Sequence, residues 1–238
     1  MGNAVYQLKR MKSWSSYLKF IGDYVTQDAT TRQRVYFRGH ADAKWQLRAT
    51  VDRVSVFKDR HARELNVIGA LGVFRSEACA INDTLADMDN DPLEQLARHH
   101  GFPTRLLDWT QSPYVAAFFA FDELRLFEKK KRPKHVAIWV LSAQGISDDV
   151  LDDVEIVSAS FVGNRRAYSQ RSVFTRLKSN DRDLEIIVPE ALTKVVLPSS
   201  LYLSVMTHLD EMNINSAAMF PDLDGVARAV ARRRFEFT

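Results

Sequence analysis

Apolar residues recur along this chain first at helical spacing and later by alternation. Trp14, Tyr17, Leu18, Ile21, Tyr24 and Val25 mark an amphipathic helix over residues 13–25. "RVYFRGH" (residues 34–40) follows as a strand, because Val35, Tyr36 and Phe37 are β-branched or aromatic, and Gly39 can end it through backbone angles closed to other residues. Trp45, Leu47, Ala49 and Val51 alternate and predict a second extended segment over 44–52. Helical spacing dominates residues 60–88. "NDPLEQLARHHG" has the signals of a helix: Asp91 as cap, Pro92 in the first turn, Glu94 completing a capping box and Gly101 as stop. A further helix opens with Ser112 as cap and Pro113 behind it and continues through "YVAAFFAFDELRLFEKKK" to Pro133. Its first half is apolar all round and should be buried; its second half should emerge into solvent. Strands are predicted over 135–141, 155–161, 171–177, 184–189 and 193–198, and closing helices over 201–212 and 223–233. Helices first and strands later, without strict alternation, predict one α+β domain: a helical N-terminal half packed on a mostly antiparallel β-sheet, single or split.

Composition changes this picture little. The 238 residues are 46% hydrophobic and 26% charged, ordinary values for a globular chain. Lys plus Arg is 33 against 30 acidic residues, a formal charge of +3. Two basic runs, "EKKKRPK" (128–134) and "ARRRF" (231–235), fall at ends of predicted helices, where cations suit the helix dipole. They read first as solvated helix ends and leave nucleic acid open as a partner, although no aromatics interleave with them as a stacking platform requires. Cys79 is the single cysteine, which excludes a disulfide or zinc framework, and no metal site is expected. No apolar run reaches the roughly 20 residues of a membrane span, so a cytoplasmic protein with no membrane partner is expected.

The candidate chemistry starts at Arg38. A guanidinium inside a half-buried strand stays charged and costs several kcal/mol to desolvate unpaired, so a carboxylate such as Asp108, or a ligand phosphate, must meet it. Arg105 and Asp108 are three residues apart and can satisfy each other. His99 is either a core residue bonded to a backbone carbonyl or a ligand contact and general acid/base near neutral pH, with His100 as bystander. Thr110 and Ser112 offer hydroxyls to a ribose or amide, or form only a turn and a helix cap. Gln170 contacts either a ligand or a strand. Trp109, Phe118 and Phe119 should be core, and "FPDLDG" reads as a turn into a helix capped by Asp222.

"YFRGHADAKWQLRATVDR", "HHGFPTRLLDWTQSPYVAAFFAF", "NRRAYSQRSVF" and "MFPDLDG" together resemble the sequence blocks of the FRG domain family, over about residues 30–230. The chain departs from that pattern at Arg98, where glutamine is common, at His100, where an aromatic is usual, and at Ser172, where glycine is usual. The resemblance implies an FRG domain over 30–238, with 1–29 a helix and lead-in of the same domain. More distantly, the order of motifs resembles ADP-ribosyltransferases, which implies that fold, NAD as the ligand, and either transferase or NAD glycohydrolase activity in a bacterial toxin or antiphage-defence role. On that resemblance Arg38, His99, Thr110 and Gln170 form the catalytic set, and Arg38, Gly39, Arg105, Thr110 and Ser112 hold NAD. Gln170 stands where the superfamily has glutamate, so Glu155, Glu185 or Asp108 would have to fold into the site as the missing carboxylate. Two other readings stay open: a non-catalytic domain that senses a nucleotide or phage component, and a nucleic-acid-binding protein. The macromolecular acceptor and the oligomeric state are not legible in the sequence.

Overall fold

Strands far apart in the chain pair into one sheet, and the sheet positions every other element. The structure, a computed structural model, describes residues 5–31, 34–54, 56–147, 150, 152–160, 165–178 and 183–237. Strands β1 (Gln7–Arg10), β2 (Val35–His40), β3 (Leu106–Thr110), β4 (His135–Ser142), β5 (Val154–Ser158), β6 (Ser172–Leu177) and β7 (Leu192–Pro198) form an open sheet in the order β1-β7-β4-β2-β3-β6-β5. All neighbours are antiparallel except β1 with β7. The helices are α1 (Trp14–Thr31), α2 (Thr50–Val54), α3 (Arg60–Ala78), α4 (Asn90–His99), α5 (Pro113–Asp122), α6 (Arg165–Ser169), α7 (Leu184–Ile187), α8 (Tyr202–Glu211), α9 (Ser216–Met219) and α10 (Leu223–Phe235). The chain is thus a single α+β domain. No described helix is long and apolar enough to cross a membrane.

The two-residue period of the strands divides the core. Val35 and Phe37 of β2 and Val136, Ile138 and Val140 of β4 pack with α1, α5 and α8 on one face. Tyr36, Trp139 and Leu141 pack on the other face with Leu184 and Ile187 of α7. A third cluster joins Val67, Leu71 and Ala97 of α3 and α4 to Ala49 and Val51. The apolar helix α5 is buried as predicted, and Gly39 shows how closely it lies. A Cβ at Gly39 would stand 2.0 Å from the Ala116 carbonyl oxygen and 2.5 Å from the Ala120 nitrogen. Gly39 therefore lies inside β2, paired with Ile138, and does not end the strand. Gly101, with φ 88°, does take up the left-handed stop after α4.

Several expectations are corrected. Residues 44–49 form no strand: the Leu47 N–H donates to the Glu185 carboxylate at 3.1 Å, and the stretch runs into the short helix α2. Its alternation comes from a loop that buries Leu47 and Ala49, followed by Val51 buried on α2. Residues 184–187 are helical, because Leu184 and Ile187, one turn apart, are the buried pair, and so short an apolar run does not discriminate helix from strand. The N-cap of α4 is Asp89, while Asp91 and Glu94 turn to arginines. α5 stops at Asp122 and continues as short 3-10 turns over Glu123–Leu126 and Lys129–Lys131. β1 and β3 were not among the predicted strands, and they place sheet structure in the N-terminal half. β5 ends at Ser158, and residue 161 of the predicted strand lies outside the described residues. Arg232 in the second basic run is no solvated helix end: it is buried and bonded to the Asp122 carboxylate.

Candidate functional site

β2 and β3 share one register pair, Phe37 with Thr110. Next to it the Arg38 side chain takes the place of a backbone donor. Its Nη1 donates to the Asp108 carbonyl oxygen at 2.7 Å and, more weakly, to the Asp108 carboxylate at 3.4 Å. Its Nε donates to His40 Nε2 at 2.9 Å. His40 can accept there because burial, followed by the Arg38 charge, pushes its pKa well below the usual imidazole range. Burial also lowers the pKa of Arg38, with Asp108 opposing, but a guanidinium remains a cation.

The main partner of Asp108 is Arg98, one of the positions at which the sequence departs from the FRG pattern. Arg98 Nε donates to Asp108 Oδ1 at 2.6 Å and Nη2 to Oδ2, while Nη1 reaches the hydroxyls of Thr50 and Thr104 at 3.0 and 3.1 Å. Burial alone would raise the pKa of Asp108, but Arg98 and Arg38 outweigh it and hold the carboxyl below the ordinary range. Arg105 does not pair with Asp108. It bonds Glu94 at 2.7 Å and Glu64 at 2.8 Å, and the fully buried Glu94 also meets Arg176 at 3.4 Å.

Around Arg38 opens a cleft of about 340 Å3, within the range of small-molecule sites. Of the residues expected at a site, Arg38, Gly39, His99, Thr110 and Gln170 line it, whereas Arg105 and Ser112 do not. Thr110 and Gln170 are tied into the fold. The Thr110 hydroxyl donates to the Gln170 carbonyl at 2.6 Å and accepts the Ser112 N–H at 3.1 Å, and the Gln170 amide donates to the Met219 carbonyl at 3.1 Å. Ser112 caps α5, accepting the Val115 N–H at 3.3 Å. His99 is freer: its buried Nε2 has no partner among the described residues, and burial lowers its pKa, which leaves it neutral at neutral pH.

The carboxylate that sequence reasoning missed is Glu123. It lines the cleft at the end of α5, where its backbone N–H caps the helix, and its carboxylate makes no hydrogen bond or ion pair with a described residue. Burial raises its pKa, with Arg38 opposing. Its sequence signal was "FDEL", where the apolar helix first meets charge; Asp122 turns to Arg232 and leaves Glu123 to the cleft. Of the acids proposed earlier, Glu155 pairs with Arg176 and Glu185 holds the Leu47 N–H; only Asp108 reaches the cleft. Phe119 and Phe220 form an aromatic corner, edge to face at 6.0 Å, and Arg166 lies over Phe220 while bonded to Asp222. Among the described residues no cluster of His, Cys, Asp or Glu is placed to hold a metal ion.

A model of the FRG domain family matches residues 33–129. This stretch is an FRG domain. The match names the domain and no activity, and neither a curated protein nor a solved structure matches the chain. The FRG domain supplies Arg38, Arg98, His99, Asp108, Thr110 and Glu123 to the cleft, while Arg166, Gln170 and Phe220 come from beyond the matched span.

Proposed function

We propose that the cleft binds NAD or a related nucleotide and that the protein consumes it, as an ADP-ribosyltransferase or NAD glycohydrolase. The observation that supports this reading is a guanidinium and an unpaired carboxylate, Arg38 and Glu123, lining one aromatic-walled hollow. Arg38 donates from Nε and Nη1 inside the fold, and its Nη2 makes no hydrogen bond to a described residue, which suits a pyrophosphate oxygen. Phe119 and Phe220 offer faces and edges to a planar base. When the bond between ribose and nicotinamide breaks, its electron pair leaves with the nicotinamide, and positive charge grows on the ribose. Glu123 stabilises that charge. Water or an acceptor then takes the vacated position, and neutral His99 accepts its proton. Service as an NAD-consuming effector in bacterial toxin or antiphage defence accords with the resemblance in the motifs.

A second reading, a domain that binds a nucleotide without turning it over, draws on the Thr110 hydroxyl and the Gln170 side-chain N–H, both committed within the fold. Nicotinamide release by the purified protein tests both. Wild type should release it, Glu123→Gln should retain NAD binding and lose roughly 100-fold or more in rate, and Arg38→Ala should lose binding. Binding without release in the wild type would favour the sensing domain, and absence of binding would overturn both.

A further inference from the structure

A second hollow, of about 280 Å3, shares Arg38 with the cleft and is lined also by His40, Lys44, Trp45, Arg48 and Arg53. Among the described residues its lining contains four arginines and lysines and no acid. Two of these charges are already met: Arg48 makes a bidentate pair with Asp183 at 2.8 and 2.9 Å, and Arg38 shares Asp108. His40 is buried, neutral and occupied by Arg38, so it holds that guanidinium in place without adding charge. Lys44 and Arg53 are different. Both are exposed, neither makes an ion pair with a described residue, and the Arg53 side chain donates to the Thr50 hydroxyl at 3.4 Å. Trp45, 38% exposed, stands beside them with its ring near His40 and Phe127, at centroid distances of 5.9 and 6.2 Å.

The loop that carries Lys44, Trp45 and Arg48 and leads into α2, which carries Arg53, is held in shape. Leu47 and Ala49 are buried and the Leu47 N–H is bonded to Glu185, which leaves Lys44, Trp45, Gln46 and Arg48 outward. Thr50, the partner of Arg53, lines the main cleft, so the two hollows adjoin at α2 as well as at Arg38. A concave surface that presents two cations outside any described ion pair, with no acid among its described lining residues, suits a doubly charged phosphate. Lys44 would act as a point charge and Arg53 as a fork.

We infer that this hollow is a phosphate subsite continuous with the cleft, and that the site takes a nucleotide carrying a phosphate beyond its pyrophosphate, the class represented by NADP rather than NAD. The inference rests on the nucleotide reading of the cleft for the ligand's other half. Calorimetry on the full chain with NAD, NADP and inorganic triphosphate, for wild type and for Lys44→Ala/Arg53→Ala, separates the two. Both substituted residues are exposed, so the melting temperature of the variant should match wild type; Lys44→Gln/Arg53→Gln serves as the second variant. NADP should bind at least about tenfold more tightly than NAD, triphosphate should bind by itself, and the double variant should lose both effects while keeping its affinity for NAD. Equal affinity for the two dinucleotides, or a preference that survives in the variants, would overturn the subsite and leave the cleft reading standing. Triphosphate binding that the variants abolish, with neither dinucleotide bound, would overturn the cleft reading and support the phosphate subsite. A short single-stranded oligonucleotide that binds more tightly than NADP, with affinity falling steeply between about 50 and 200 mM salt, would overturn the small-ligand assignment in favour of nucleic acid.

Discussion

At Gly39 a single methyl group decides whether β2 and α5 can touch. The "RG" pair suggested two ligand contacts, yet only its arginine has a side chain to offer, and the glycine beside it is where the backbone of α5 lies against the strand. Gly39→Ala drives its Cβ into the Ala116 carbonyl and should cost about 3 kcal/mol or more, seen as a melting temperature lower by about 6 °C or more. Glu123 gives a prediction of opposite sign. Its folded pKa is raised, so its ionised form is disfavoured in the fold at neutral pH. Glu123→Gln should therefore melt above wild type at neutral pH. The gap should close as pH falls through the raised pKa and be absent below the ordinary glutamate value of 4.5. Nicotinamide release by wild type should fall over that same window, because the proposed role needs the anion. Asp108 runs the other way: its depressed pKa contributes stability above 3.8 that is lost as pH falls through the folded value. Melting curves of wild type and both carboxamide variants, Glu123→Gln and Asp108→Asn, taken across pH check the two stability signs, and a pH–rate profile of wild-type nicotinamide release checks the third.

Among the elements, α4 shows how one residue type supports two readings. Asp91 and Glu94 have the spacing of cap and capping box, and in the fold both carboxylates turn to arginines on β6 and before β3. Glu94 is fully buried between Arg105 and Arg176, so Glu94→Ala leaves the buried Arg176 and the largely buried Arg105 each short of a partner. A loss of about 3–5 kcal/mol is expected, measurable by urea unfolding. Glu155→Gln, at the half-exposed rim of the same network, should cost under about 1 kcal/mol. The long, strongly periodic helices α1, α3 and α10 were legible, as was α5, since its burial follows from an apolar surface on every side. α7 and the loop over 44–49 were not. Their short apolar patterns are consistent with more than one backbone, and the choice fell to neighbours such as Glu185.

For the whole molecule, the FRG domain match ends at residue 129, while β4, which pairs with β2, and β6, which pairs with β3, lie beyond it. A fragment of residues 33–129 would leave both strands that frame the cleft with open edges. It should show no cooperative thermal transition by circular dichroism; a sharp transition would mean that the matched span folds by itself. The cleft too is closed from outside the span, by Arg166 and Phe220, with Arg166 held to Asp222 at the start of α10.

The sequence by itself determined the periodic helices, most strands of the sheet, the α+β class and the presence of an arginine that had to find an anion. These follow from local spacing, capping and the cost of burying charge, which need no knowledge of distant residues. The tertiary structure decided which charge meets which. Arg38 lies 70 residues from Asp108, Arg176 lies 85 from Asp91 and Arg232 lies 110 from Asp122. With Asp108 held by Arg98 and Asp122 by Arg232, the Glu123 carboxylate is left to line the cleft without a partner among the described residues. A carboxylate has no periodicity of its own, and its partner is set by sheet order, so only the assembled fold could single out Glu123.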